Sequence, residues 1–454
     1  MAAIADKFSR LAALKPARPV SRQTERRELR APGEEDPLAQ LLGAGIVKNY
    51  FGEHLAVRNW FSTPEYAEPS AVSLELLSRT RDESTSRKIR AALDDPSKWL
   101  FLDTETTGLA GGTGTYAFLV GLAWWDAGGL QVEQFLMRDF TEEYSLLQEL
   151  AERVKEQPVL VTFNGKTFDW PLLENRFAMT RSIAAPELAA HLDLLHPARA
   201  LWKLRLGSVR LVELERKVLD AQRLGWRRED DVDSALIPQH YFDYLRGGPA
   251  QPLAGIVRHN QMDLRGLAAL FCKINAMLSE SAGILDECES LDLFGLSRFL
   301  QRRGDTRRAH TACAQALAIG LPVDIRPKAQ RELALMAKRR GEHERAAEIW
   351  QDMVANSQDE VQACEQLAIY YERRVKDMDR AMEYAKLGLA KLRRQQAGSL
   401  HGSHDPYLAA RFVRQEKAFK ERLARLERKA PLFSPARRRA ARGVAEPKAN
   451  PELW

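Results

Sequence analysis

Between residues 99 and 278 the apolar positions change rhythm several times, and each change marks an element. Trp99–Glu105 (WLFLDTE) is an unbroken apolar run of strand length that ends in acids. Thr115–Trp125 (TYAFLVGLAWW) and Leu130–Phe140 (LQVEQFLMRDF) are two further β-rich runs, joined by the hairpin signal Asp126-Ala127-Gly128-Gly129. Thr141–Gln157 then shifts to a helical period, with Leu146, Leu147, Leu150 and Val154 on one face. Pro158–Gly165 (PVLVTFNG) reads as a buried strand. Phe168–Met179 reads as a helix that tolerates Pro171 near its first turn, and Pro252–Leu278 as a long closing helix. Strand, hairpin, helix, strand, helix predicts a mixed α/β domain, a sheet flanked by helices.

Beyond Leu285 the pattern is helical throughout and repeats itself. Leu296-Ser-Arg-Phe-Leu-Gln-Arg-Arg-Gly304 matches Leu333-Ala-Leu-Met-Ala-Lys-Arg-Arg-Gly341 and Leu367-Ala-Ile-Tyr-Tyr-Glu-Arg-Arg-Val375. Each is followed by an Arg-Ala pair that opens a second helix: Arg308-Ala309, Arg345-Ala346 and Arg380-Ala381. The spacings are near the 34 residues of a tetratricopeptide repeat, so the expected architecture is an α-helical solenoid with a protein-binding face. A generic helical bundle is the alternative. The boundaries that follow are an N-terminal extension over 1–95, the α/β domain over 96–280, helical repeats over 285–395, and a basic helix and tail over 396–454. Lys15–Pro37, rich in Arg, Glu and Pro, reads as flexible, and no element is assigned over 38–77.

Composition adds partners and compartment. Residues 391–454 hold 16 Lys/Arg against 6 Asp/Glu, although the whole chain carries only +6. A basic C-terminal region on a near-neutral body suits a polyanionic partner, nucleic acid or an anionic surface, or else it is a solvated helix and tail. The four cysteines, Cys272, Cys288, Cys313 and Cys364, show no metal-binding spacing and no disulfide framework, which fits a reducing compartment. No apolar run approaches the length of a membrane span, and the N-terminus lacks the apolar core of a secretory signal. The expectation is a cytoplasmic protein with no membrane contact.

Asp103 and Glu105 lie two apart at the end of a strand, so they share a face. Two adjacent carboxylates repel unless a cation lies between them, and hard oxygen ligands select Mg²⁺ or Mn²⁺. Alone this pair is a weak signal. Two later acids strengthen it: Asp169, after the strand Pro158–Gly165, and Asp263, inside an apolar helix one turn beyond His259. Aspartate has poor propensity for a helix interior, and a ligand role accounts for its presence there. A lone histidine on a helix is more often solvent-facing.

In order, Asp103-Thr-Glu-Thr-Thr-Gly108, Asn164-Gly-Lys-Thr-Phe-Asp169 and His259-x-x-x-Asp263 resemble the motifs of the DEDD exonuclease superfamily. The resemblance is closer to the YprB-like branch of RNase H-like proteins. It extends over Asp103–Phe118, Phe163–Asp169, His191–Arg199 and Ile237–Leu245, within roughly 99–278, and helical repeats are seen in members of that branch. The resemblance implies an RNase H-like fold and a two-metal mechanism. Asp103 would be shared by two Mg²⁺ or Mn²⁺ ions, Glu105 and Asp263 would complete one site, and Asp169 would serve the second. His259 would act as base, although three residues separate it from Asp263 where histidine-type members have four. Asn164, Asp193, Arg199, Lys203 and Arg205 are candidate substrate contacts. For Asp193 a turn or cap role is the alternative, and for the basic residues a solvated face. Gly108, Gly111, Gly112 and Gly114 read as a tight connection between strands and lack the ending of a phosphate loop.

The function so implied is a divalent-metal-dependent 3′→5′ exonuclease on single-stranded DNA or RNA ends, with a helical docking module for a protein partner. The alternatives are a structure-selective or RNase H-type endonuclease, and an inactive nucleic-acid-binding or scaffold protein.

Overall fold

The computed structural model describes residues 36–78, 91–108, 114–279, 287–356, 360–399 and 406–430. Most of Lys15–Pro37, the glycines Gly111 and Gly112 and the tail beyond residue 430 lie outside them. The chain divides into two compact units between Cys288 and Glu289. No helix among the described residues is long and apolar enough to cross a membrane.

The first unit is built on one seven-stranded sheet. Its strands are β1 (Gly45–Asn49), β2 (Gly52–Phe61), β3 (Trp99–Thr106), β4 (Ala117–Asp126), β5 (Gly129–Leu136), β6 (Val159–Thr162) and β7 (Ala190–Asp193), in the order β1-β2-β5-β4-β3-β6-β7. Pairing is antiparallel from β1 through β3 and parallel from β3 to β6 to β7. β4 and β5 meet at Ala127 and Gly128, both with positive φ, in the predicted hairpin.

The helices of this unit are α1 (Pro37–Leu42), α2 (Ala71–Ser78), α3 (Glu143–Glu156), α4 (Asp169–Thr180), α5 (Leu195–Leu206), α6 (Leu211–Leu214), α7 (Ile237–Leu245) and α8 (Gln251–Leu278). A π-type turn, Glu215–Leu219, continues α6. The predicted face of α3 is buried, with Leu146, Leu147, Leu150 and Val154 all in the core.

Three strands were not legible in the sequence: β1, β2 and the four-residue β7. β1 and β2, inside the segment read as an N-terminal extension, are part of the sheet, and β2 pairs with β5 over seven residues. For β2 the reason is polar burial. His54 is fully buried, its Nδ1 2.9 Å from Ser145 Oγ, and Arg58 ion-pairs with the buried Glu133 of β5. Polar residues at inward positions erase the alternation by which a strand is recognised.

The long helix α8 lies against β3, β4 and β5. Phe271 stands edge-on to Trp99 and Phe101, with ring centroids 5.0 and 6.0 Å away, which fixes α8 against the start of β3. From Trp99 to Glu105 a strand advances about 20 Å. From Phe271 back to His259 a helix advances about 18 Å. The two elements run in opposite directions, so this packing brings His259 to the end of β3 that carries the acids.

The second unit is helical: α9 (Ser290–Arg303), α10 (Thr306–Ile319), α11 (Arg326–Arg339), α12 (His343–Asn356), α13 (Val361–Tyr370), α14 (Met378–Ser399) and α15 (Pro406–Lys429). Successive helices pack together, α9 with α10, α11 with α12, and α13 with α14. The repeated residues are the packing residues. Leu296, Leu333 and Leu367 are buried, and Ala309, Ala346 and Ala381 have no exposed surface. The first two repeats close their leading helix with a left-handed glycine, Gly304 and Gly341. The third lacks it: a π-type turn, Tyr371–Val375, carries the chain to Lys376, which takes the left-handed position instead.

Candidate active site

β3 is buried along Trp99–Leu102 and half-buried from Asp103 to Thr106, where it emerges at the sheet edge. Asp103 and Glu105 share a face. The hydroxyl of Thr104, between them, donates to Asp169 Oδ1 at 2.6 Å. Asp169 is the first residue of α4, delivered to this edge by the turn after β6. His259 and Asp263 arrive from α8, and His259 is 5% exposed, not solvent-facing. Its Nε2 lies 3.5 Å from Asp263 Oδ2 and 3.9 Å from Glu105 Oε1. The three-residue spacing therefore still brings the ring onto the acids. Each of Glu105, His259 and Asp263 offers a ligand atom, and these atoms all lie within 4.8 Å of one another.

The electrostatics show how the acids are held. Burial, then the charges of Asp263, Asp169 and Glu105, push the Asp103 carboxyl well above its usual range. Burial, then Asp263, Asp169 and Asp231, do the same to Glu105. Asp169 is raised chiefly by burial, against the hydrogen bond from Thr104. Three converging carboxyls that resist ionisation make a place short of positive charge. The donors are hard oxygens with one imidazole nitrogen, a set able to hold a divalent cation.

Sequence reasoning missed the residues that support this cluster. In the sheet Asp103 lies opposite Gly121 of β4, and Gly121 opposite Gln134 of β5. Asn260 of α8 lies across that row. Its Nδ2 donates to Asp103 Oδ2 at 2.8 Å, and its Oδ1 accepts from Gln134 Nε2 at 2.8 Å. Position 121 must be glycine for this, because a Cβ there would stand 2.1 Å from Asn260 Oδ1. Gln134 Nε2 also donates to the Val257 carbonyl, which fixes which way both amides point.

On the other flank, Arg228 is gripped by Glu215, Nε to Oε2 and Nη2 to Oε1, both at 2.7 Å. From there it donates to Asp263 and, through Nη1 at 2.9 Å, to Asp231 Oδ2. Asp231 Oδ1 lies 2.8 Å from His259 Nδ1. Glu215 reaches the guanidinium past Gly266 of α8, where a Cβ would stand 2.1 Å from Glu215 Oε1. Arg227-Arg228-Glu229-Asp230-Asp231 is a run of five charged residues, of which the fold turns Arg228 and Asp231 inward.

The other candidates fall elsewhere. The carboxylate of Asp193 accepts from the backbone N–H of Asn164 (2.8 Å), Lys166 (3.2 Å) and Leu195 (3.0 Å). These bonds organise the loop that carries Asp169. Asn164 takes a left-handed conformation in that loop, and its carbonyl accepts from Thr167 and Phe168. Arg199 and Lys203 are exposed one turn apart on α5, and Arg205 is half-buried near its end, on an element other than those that carry the cluster.

Residues 100–275 match the family model RNase_H_2, of the RNase_H superfamily. The chain is 29% identical over 324 residues to the uncharacterized protein YprB of Bacillus subtilis (strain 168), which takes in 70% of this chain and 75% of that protein. Among solved structures, the family B DNA polymerase from the hyperthermophilic archaeon Pyrobaculum calidifontis aligns with 53% of this chain at 15% identity. The TM-score is 0.31 and the alignment spans 29% of the polymerase. The first unit is thus an RNase H-like α/β domain, a nuclease fold, and helical repeats follow it.

Proposed function

We propose that the RNase H-like domain is a divalent-metal-dependent 3′→5′ exonuclease that hydrolyses phosphodiester bonds at single-stranded DNA or RNA ends. The observation that carries the reading is the convergence of Asp103, Glu105, Asp169 and Asp263 at one sheet edge, with three of the four carboxyls driven upward by burial, and Asp103 and Glu105 also by the charges of neighbouring acids. In this reading Asp103, Glu105, Asp169 and Asp263 would hold two Mg²⁺ or Mn²⁺ ions, with Glu105 and Asp263 serving one and Asp169 the other. Ions so held would supply Lewis-acid stabilisation of the attacking and leaving oxygens of an in-line displacement. His259 takes the proton of the attacking water at Nε2, the ring atom that faces Glu105 and Asp263. Asn260 holds Asp103 through Oδ2, and Thr104 holds Asp169 through Oδ1. The helical unit, read as tetratricopeptide-like, docks a protein partner, and the basic C-terminal region adds sequence-independent affinity for phosphates.

The test is degradation of end-labelled linear and circular single-stranded DNA and RNA in Mn²⁺ by wild type and Asp103→Ala. Wild type is expected to shorten a linear substrate and spare circles, and Asp103→Ala to lose activity by on the order of 10³-fold or more. Wild type that leaves every substrate intact overturns the nuclease reading. Cleavage of circles replaces the exonuclease with the endonuclease alternative, and equal degradation by both proteins removes Asp103 from the site.

A further inference from the structure

Building on that nuclease reading, we propose that Asp231 is a positioning residue for His259. It holds a proton on Nδ1 so that Nε2 is the atom presented to Glu105 and Asp263, and Arg228, anchored by Glu215, holds Asp231 in place.

Four charged groups face the His259 ring: Glu105 from β3, Asp263 from α8, and Arg228 and Asp231 from the segment before α7. On the Nδ1 side two of them compete. Asp231 Oδ1 is 2.8 Å away and Arg228 Nη1 is 3.5 Å away. A carboxylate only accepts, so contact with Asp231 requires Nδ1–H; contact with Arg228, which only donates, requires a bare Nδ1. The distances favour Asp231, because 2.8 Å is an ordinary hydrogen bond and 3.5 Å is at its outer limit. Moreover, Nη1 already donates to Asp231 Oδ2 at 2.9 Å. The Asp231 carboxylate is engaged on both oxygens, since Oδ1 also accepts from the Val232 N–H at 2.9 Å. It is therefore a fixed acceptor that cannot turn away from the ring.

With Nδ1 so assigned, Nε2 is left facing two carboxylate oxygens at 3.5 and 3.9 Å, at or beyond direct hydrogen-bond reach. That is the geometry of a ring held ready for a third group. Arg228 ties the arrangement together. One guanidinium contacts both the residue that orients His259 and, through Nη2, the Asp263 carboxylate. All its donor nitrogens are engaged, and a bidentate grip by a residue only 2% exposed fixes its plane. Arg228 is a clamp and not a group awaiting phosphate.

The experiment reads the ring directly. Full-length protein labelled with [¹⁵N]histidine is stripped of metal with EDTA, and His259 is assigned by its loss in His259→Gln. Long-range ¹H–¹⁵N correlation then reports which ring nitrogen is protonated. Wild type is expected to show a protonated Nδ1 with a slowly exchanging proton. In Asp231→Asn, whose amide can donate to the ring, the proton is expected on Nε2, and Asp231→Glu is expected to restore part of the wild-type signal. A bare Nδ1 in the wild-type protein overturns the proposal whether or not any variant folds, as does an Nδ1 signal unchanged in Asp231→Asn. In the nuclease assay Asp231→Asn is expected to lower kcat by on the order of 10²-fold, with KM within about twofold. Unchanged kcat overturns the positioning role in the reaction. An inactive wild type with the expected NMR signals defeats only the nuclease reading.

Discussion

Two acidic sites, one in each unit, are built in opposite ways. At the edge of the RNase H-like sheet Asp103, Glu105 and Asp169 are pushed upward in pKa, and the cation in contact, Arg228, reaches only the Asp263 side. In the helical unit Glu372, 4% exposed in the π-type turn after α13, meets three cations of α15. Arg425 takes it with two nitrogens at 3.1 and 3.2 Å, Lys429 is at 2.8 Å and Arg422 at 3.3 Å. Burial opposes ionisation there too, but the hydrogen bonds from Arg425 and Lys429 prevail and hold the carboxyl at about 2. The lesson is one of charge balance. A buried carboxylate supplied with its own cations is a structural joint, and a group of carboxylates left short of them is a place prepared for cations from outside.

The strongest break of that comparison is Glu372→Ala. It removes the one acid that draws α15 onto the turn and leaves Arg422, half-encased, without its nearest partner. Losing one partner of a buried ion cluster costs about 3 kcal/mol. Hydrogen exchange of α15 peptides in the full chain is expected to accelerate by roughly 10²-fold, with α8 unaffected. The pH dependence has a definite sign. The folded pKa is below the unfolded one, so this stabilisation is present above about 4.3 and is lost as pH falls through about 2. Equal protection of α15 in both proteins at neutral pH would mean that the joint is held by apolar packing of Phe412, Phe419 and Leu426 alone.

The opposite sign is expected at the sheet edge. Asp103→Asn removes a repelled charge while keeping an oxygen for the Asn260 amide, so the metal-free protein is expected to gain about 1–2 kcal/mol. Because the folded pKa of Asp103 is raised, its contribution to stability is intact below the unfolded pKa and declines as pH rises through the folded value. The advantage of Asp103→Asn in EDTA should therefore widen as pH rises above the usual carboxylate range in thermal melts. Mn²⁺ should stabilise wild type more than the variant. A variant less stable than wild type at pH 8 in EDTA would show that the cluster is not short of positive charge.

How much of this was legible in the sequence follows from where the information lies. Asp103, Glu105, Asp169, His259 and Asp263 stand at element ends or in one helical turn, in chain order, so local pattern was enough to single them out. The supporting groups depend on long-range placement. Asn260 and Gln134 are buried polar residues on separate elements, joined only because α8 crosses Gly121. Arg228 and Asp231 lie in a charge run, and the buried His54 broke the apolar alternation of β2. Asp193, resembling a site residue by its sequence block, proves to be a loop organiser because its three backbone donors are visible only in three dimensions. In the helical unit the repeated Leu and Ala positions foretold the packing. Glu372 did not stand out, because it falls where the third repeat departs from the other two.

The smallest effect sharpens the comparison most. Lys429 is the last residue of α15, with its side chain 42% exposed, and it is one of three cations around Glu372. Removing it leaves the two-nitrogen contact of Arg425 and the contact of Arg422 in place. An exposed lysine pair is worth less than about 1 kcal/mol and is screened by salt. Lys429→Ala is accordingly expected to accelerate exchange in α15 by at most fivefold, and by less in 0.5 M NaCl. If Lys429→Ala instead matched Glu372→Ala, the surplus of cations would not be a surplus, and the helical joint would depend on every charge it has. That outcome would make it resemble the sheet edge, where a single guanidinium stands between Asp263 and an uncompensated cluster, and the distinction between joint and site would have to be sought in something other than charge balance.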